Sequence, residues 1–250
     1  MDSKSPLLPR TRSPSPMPRR HRFRRFHAAA FVFVLGLFWL AVNWQCTDPT
    51  HNHGGEATAD KVPLEVHIMS KCPDARDCLQ KFVLPAMQNV SDKVVFRLSF
   101  IGQTTDSDDG VQCKHGQTEC LGNILELCAA SLYPDPKLYL GFTMCMERDY
   151  HDIPAKELVQ DCALEHGLDF DKINHCVSQD DGSYAMGMLR DSVTRSADLN
   201  VTTSCTVRLD EKVRCTVDDG VFKNCPGGKK PEDLIRDIKK LADAARGWTE

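Results

Sequence analysis

Two hydrophobic periods alternate along this chain. "VPLEVHIM", residues 62–69, and "KVVFRLSFIG", 93–102, are rich in branched residues and alternate as strands do. Between them, "CPDARDCLQKFVLPAMQNV" places Leu79, Phe82 and Val83 on one helical face, with Pro85 as a bend. The stretch from 120 to 198 reads as mostly helical, through "CLGNILELCAASLY", "PKLYLGFTMCMERDY", "PAKELVQDCALEHG" and "YAMGMLRDSVTRSADL". "CTVRL", 205–209, and "KVRCTV", 212–217, flank an Asp-Glu pair and predict a hairpin. The last element, "PEDLIRDIKKLADAAR", 231–246, opens on proline and repeats Leu234, Ile238, Leu241 and Ala245, which predicts an amphipathic helix.

One apolar run obeys neither period. "HAAAFVFVLGLFWLAVNW", 27–44, follows the basic cluster "RRHRFRR" at 19–25. Its length is at the short end of what spans a bilayer, and the basic flank places the N-terminus in the cytosol. The long n-region and the weak site in "AVNWQC" favour an uncleaved anchor over a signal peptide. The expected order is therefore a disordered basic tail at 1–26, a transmembrane signal-anchor at 27–44 and a luminal stalk at 45–61. This makes a single-pass type II membrane protein, or a secreted one if 27–44 is removed. Eight of the 31 Lys and Arg residues precede residue 28, against one acid. The remainder holds 23 bases and 34 acids, net −11. So acidic a domain argues against a nucleic-acid partner. Asn89 and Asn200, in "NVS" and "NVT", are N-glycan acceptors in a lumen.

Twelve cysteines point to an oxidising compartment. The residues at 113–128, "CKHGQTECLGNILELC", carry a specific pattern whose fixed points are Cys113, His115, Gly116, Glu119, Cys120, Asn123 and Cys128. The pattern resembles the signature of the gamma-interferon-inducible lysosomal thiol reductase (GILT) family, and the resemblance extends over about 62–245. A β-α-β unit, a helical insertion and a closing β-β-α is also the order of a thioredoxin-like domain. The fold class expected is therefore α/β, thioredoxin-like over 62–247, with a helical, disulfide-rich insertion. The resemblance implies reduction of protein disulfides in a lysosome- or vacuole-like lumen by a Cys-x-x-C pair, with disulfide-containing proteins as partners and no cofactor. Against that pattern, Ala75 stands in place of the second thiol, and Ser204-Cys205 stands where a thioredoxin fold has its cis-proline.

Cys72 sits where the first strand gives way to the helix, which stabilises and exposes a thiolate. Cys78 is the nearest second thiol. Residues six apart on a regular helix rise about 9 Å, whereas a disulfide wants Cα atoms within about 7 Å. The two pair only if 73–77 form a loop. Asp74 capping a helix from Ala75 disfavours the pair, and Asp77 capping one from Cys78 permits it. Three readings stand: a catalytic pair with Cys72 attacking and Cys78 resolving, a single active thiol at Cys72, or structural roles for both. The competing function is a noncatalytic, disulfide-rich luminal binding or chaperone-like domain. Cys113, His115 and Cys120 have the donor types of a zinc site, but an oxidising lumen favours disulfides there. His115 is expected to be a packed loop residue rather than an acid or base. The other cysteines are expected to be structural, with Cys205, Cys215 and Cys225 placed to bridge near the hairpin.

Overall fold

The computed structural model describes residues 61–106 and 110–246. The expected tail, anchor and all but the last residue of the stalk lie outside the described residues, as does Cys46. Among the described residues, no helix is long and apolar enough to cross a membrane.

Strand β1 (Val62–Ile68) runs parallel to β2 (Val94–Phe100), with Val62 opposite Val94 and Ile68 opposite Phe100. The crossover is one helical run in three parts: α1 (Pro73–Cys78), a π-helical segment (Leu79–Val83) and α2 (Leu84–Val90). The widened turns end just before Pro85, whose ring and missing N–H disrupt regular α-helical bonding. On the other edge of β1 lies β5 (Thr206–Leu209), antiparallel, followed by β6 (Lys212–Asp218) and β7 (Val221–Lys223). The sheet order β2-β1-β5-β6-β7 is the thioredoxin-like topology. Asp210 and Glu211 make the expected hairpin turn, both with positive φ. The edge strand β7 is an addition to the expected elements.

A small ribbon, β3 (Gln103–Thr104) with β4 (Val111–Gln112), leads into the helical insertion. This comprises α3 (Gln117–Leu132), α4 (Pro136–Arg148), α5 (Lys156–Glu165), α6 (Phe170–Ser178) and α7 (Ser183–Asp198). Closing helix α8 (Pro231–Arg246) buries Leu234, Ile238 and Ala242. Leu241 and Ala245 lie at the margin of that stripe, half-buried.

Successive β1 side chains face opposite ways. Leu64, Val66 and Ile68 fill one fully buried apolar layer. Glu65 and His67 face α7, where Arg195 gives Glu65 two hydrogen bonds of 2.7 Å. Ser99 adds a third at 2.6 Å, and His67 Nδ1 meets Ser196 Oγ at 2.9 Å.

Among the described residues, five disulfides staple the domain. Cys128–Cys176 joins α3 to α6, Cys145–Cys162 joins α4 to α5, and Cys215–Cys225 anchors the segment after β7. Cys113–Cys120 closes the turn before α3. Cys78–Cys205 joins the crossover helix to the entry of β5. Of the three cysteines expected to bridge near the hairpin, Cys215 and Cys225 do so, and Cys205 reaches across to Cys78 instead.

Candidate active site

The turn between β1 and α1 is held from several sides. Cys72 N–H donates to the Met69 carbonyl at 3.0 Å, and Met69 N–H donates to Ser204 Oγ at 2.9 Å. Ser70 N–H donates to Asn123 Oδ1 at 3.0 Å, and its hydroxyl donates to the Glu119 carbonyl at 3.1 Å. Lys71 Nζ donates to the His151 carbonyl at 2.9 Å and also to that of Ile153. Helix α3 approaches so closely at Gly122 that a Cβ there would sit 2.5 Å from Ser70 Oγ and from Ile153 Cγ2. The 113–128 motif thus acquires a physical role: Glu119, Gly122 and Asn123 brace the loop that presents Cys72.

His115 is part of that brace. Glu119 is fully buried and reaches back to accept from the His115 N–H at 3.2 Å, while its other oxygen meets His115 Nδ1. The contact resembles half of a capping box, shifted by one: the N3 glutamate takes the N–H of the residue before the N-cap Gly116 rather than that of the N-cap. His115 itself is exposed, and its ring is held by the buried Glu119 rather than packed into the core. Cys113 and Cys120 are bonded to each other, so neither offers a thiolate donor.

Helix α1 starts at Pro73 with Cys72 as its N-cap. Neither aspartate caps it. Asp74 accepts from the N–H groups of Asp219 (3.0 Å) and Gly220 (2.7 Å) in the β6–β7 turn. Asp77 pairs with Arg76 at 3.0 Å and Lys81 at 2.8 Å along the helix. Residues 73–77 are helical rather than a loop, and Cys72 and Cys78 are not brought together.

Cys78 is bonded to Cys205, with Cα atoms 6.2 Å apart, and Cys72 is the free cysteine among those described. Cys72 nevertheless lies close to the backbone that carries Cys205: its Sγ donates to the Ser204 carbonyl at 3.7 Å. That Ser204–Cys205 peptide is cis, at the position where the fold family has its cis-proline. Cys78 and Cys205 are wholly buried, whereas Cys72 keeps 8 % of its surface exposed. Ala75, where the family has its second thiol, is also wholly buried.

Behind the turn lie two further acids that the sequence pattern did not single out. Glu126 on α3 and Glu147 on α4 are fully buried, and none of their carboxyl oxygens has a hydrogen-bond partner. Burial holds Glu126 well above the usual carboxylate range. Burial also raises Glu147, followed by repulsion from Glu126, Cys72 and Glu119, with Arg76 opposing. Both acids are therefore protonated in the fold over a range where an exposed glutamate is ionised. Elsewhere, donor atoms of Cys145, Glu165 and His166 lie within 4.8 Å of one another, but the Cys145 sulfur is bonded to Cys162. Asn89 and Asn200 are both exposed.

Residues 63–166 match the sequence model of the family "Gamma interferon inducible lysosomal thiol reductase (GILT)". This match and the relatives that follow support a divergent member of the GILT family. It is 26% identical over 187 residues to "GILT-like protein 1" of Drosophila melanogaster, covering 68% of this chain and 74% of that one. The "Gamma-interferon-inducible lysosomal thiol reductase" of Carassius auratus is 28% identical over 134 residues, 51% of each chain. The Arabidopsis thaliana "Gamma-interferon-responsive lysosomal thiol protein" is 32% identical over 95 residues, 36% of this chain and 39% of that one. The chain thus spans well under two thirds of the goldfish and Arabidopsis relatives. Among solved structures, Wolbachia pipientis alpha-DsbA1 is 13% identical, with 82% of this chain and 98% of that one covered and a TM-score of 0.48. Within the GILT-type domain, the signature cysteines Cys113 and Cys120 close the turn that Glu119 caps, and Cys128 staples the insertion.

Proposed function

We propose that this GILT-type domain is a thiol–disulfide oxidoreductase that reduces disulfides in proteins, with Cys72 as the attacking thiol. One observation carries the reading: the free cysteine among those described is the N-cap of the crossover helix, on a turn braced by the family motif, and it keeps 8 % of its surface open where Cys78 and Cys205 keep none. The thiolate is the attacking species in thiol–disulfide exchange. Attack on a substrate disulfide forms a mixed disulfide on Cys72 and releases the first substrate thiol. The resemblance to the GILT family supports the same chemistry. We further propose that the domain works in an oxidising lumen, anchored through residues 27–44, with Asn89 and Asn200 as glycan acceptors.

A second reading has its own support. Cys78 is bonded elsewhere and Ala75 replaces the second thiol, as a noncatalytic binding domain would tolerate. Turnover separates the two. Wild-type chain supplied with a low-molecular-weight thiol should accelerate reduction of a disulfide-bonded protein. The C72S variant should fall by on the order of a hundredfold or more, as expected for loss of a nucleophile. No acceleration by the wild type, or an unchanged rate in C72S, sinks the oxidoreductase reading with Cys72.

A further inference from the structure

We infer that Cys205 is the resolving thiol of this site, taking the disulfide from Cys72 and handing it to Cys78. The inference rests on the reading of Cys72 as the attacking thiol, and it gives the second cysteine a place that neither Ala75 nor Cys78 can fill. A mixed disulfide must be resolved by a thiol that reaches the attacked sulfur. Cys78 lies six residues into an unbroken helical run, a rise of about 9 Å from Cys72. Cys205 is linked to one of them, and the residue before it meets the other. It is bonded to Cys78, and the carbonyl of the residue before it receives the Cys72 thiol at 3.7 Å. It also occupies the loop position of the fold that faces the attacking cysteine, and Ser204 holds that loop to Met69 by a 2.9 Å hydrogen bond.

The steps balance as thiol–disulfide exchange. With Cys78 and Cys205 reduced, the Cys72 thiolate attacks one substrate sulfur, and the other substrate sulfur leaves as a thiol with the proton Cys72 lost. The Cys205 thiolate then attacks Cys72 Sγ. The bond from Cys72 to substrate breaks, the second substrate thiol leaves with the proton of Cys205, and a Cys72–Cys205 disulfide forms. Finally the Cys78 thiolate attacks Cys205 Sγ, and Cys72 departs and takes the proton of Cys78. The substrate gains two electrons and two protons, all from Cys78 and Cys205. The end state has Cys72 free and Cys78 joined to Cys205, the arrangement in the structure. Reopening runs backward through Cys72. A low-molecular-weight thiol attacks Cys72 Sγ of the Cys72–Cys205 intermediate, and a second equivalent frees Cys72 as the small disulfide leaves.

The test uses the full chain in cysteine–cystine buffers of graded poise, with disulfides mapped by differential alkylation and mass spectrometry. Cys78–Cys205 is expected to open while the other four bridges stay closed, and cystine is expected to re-form it. In C72S, which removes no bridge, re-formation should slow by on the order of tenfold or more. In C78S, cystine should leave Cys72 joined to Cys205, and in C205S it should leave Cys72 carrying cysteine. A Cys78–Cys205 bond that opens only with the other bridges overturns the inference, as does a re-formation rate unchanged in C72S. Both of those readouts hold even if C78S or C205S fails to fold. Cysteinylated Cys72 in folded C78S, with no link to Cys205, overturns the relay while leaving Cys72 as the attacking thiol. Absence of any mixed disulfide on Cys72 in every chain overturns the underlying reading as well.

Discussion

At Glu65, burial by itself pushes the carboxyl up, but contacts with His67, Arg195 and Ser99 outweigh it and hold the group well below the usual carboxylate range. Glu126 and Glu147 lack such partners and are held well above it. The two cases have opposite linkage. A depressed carboxyl contributes stability that is present above the unfolded value of about 4.3 and lost as pH falls toward the folded one. An elevated carboxyl contributes stability that is present below about 4.3 and lost as pH rises through the folded value. Urea midpoints measured across pH should therefore separate the sites. E65Q should flatten the acid limb below about pH 5, and E147Q should flatten the decline on the neutral side. Equal slopes in wild type and E147Q would contradict a buried, protonated Glu147, which faces Glu126, Cys72, Glu119 and Arg76. The sequence shows these acids poorly, because a glutamate in a helix is ordinarily a solvated one. The available signal is phase: Glu126 lies seven residues after the buried Glu119, and Glu147 shares a helical face with Leu140 and Thr143.

Among the elements, the turn before α1 and helix α3 are the pair on which the site depends. G122A should drive its Cβ into Ser70 and Ile153 and cost about 1–3 kcal/mol, the usual range for overpacking. Pairing it with S70A removes one of the two clashes, so the double variant should recover part of the loss, a non-additivity readable in denaturant melts. Purely additive losses would contradict the close approach. The elements themselves were legible, because a strand's alternation and a helix's stripe are local signals. The start of α1 was less so, since both Asp74 and Asp77 have the chemistry of a cap. Tertiary partners decided it: Asp74 is engaged by the β6–β7 turn, and Asp77 by Arg76 and Lys81. Likewise, the role of Asn123 and Glu119 as braces of residue 70 depends on a contact across 49 or more positions of sequence.

For the molecule as a whole, a thioredoxin-like sheet carries an all-helical insertion whose parts are stapled to one another. Loop closure makes the staples unequal. Cys128 and Cys176 are 48 residues apart and Cys215 and Cys225 are 10 apart, so the chain-entropy argument makes the first worth more by about 1 kcal/mol. C128A/C176A is expected to lower the melting temperature more than C215A/C225A, and the reverse order would point to native-state strain or structure in the unfolded chain. Cysteine number and family pattern forecast a disulfide-rich domain, but they left Cys205 assigned to the hairpin. Its bond to Cys78 spans 127 residues and follows from sheet topology, which puts the entry of β5 beside the start of the crossover helix. The same topology brings the Ser204–Cys205 peptide against Cys72 at the one turn the family motif braces. The most direct test is to incubate the intact chain with a disulfide-bonded protein substrate, quench it with acid and alkylating agent, and map every mixed disulfide by mass spectrometry. Substrate should be attached through Cys72 and none attached in C72S; attachment through another cysteine, or equal attachment in C72S, would rule Cys72 out as the attacking thiol.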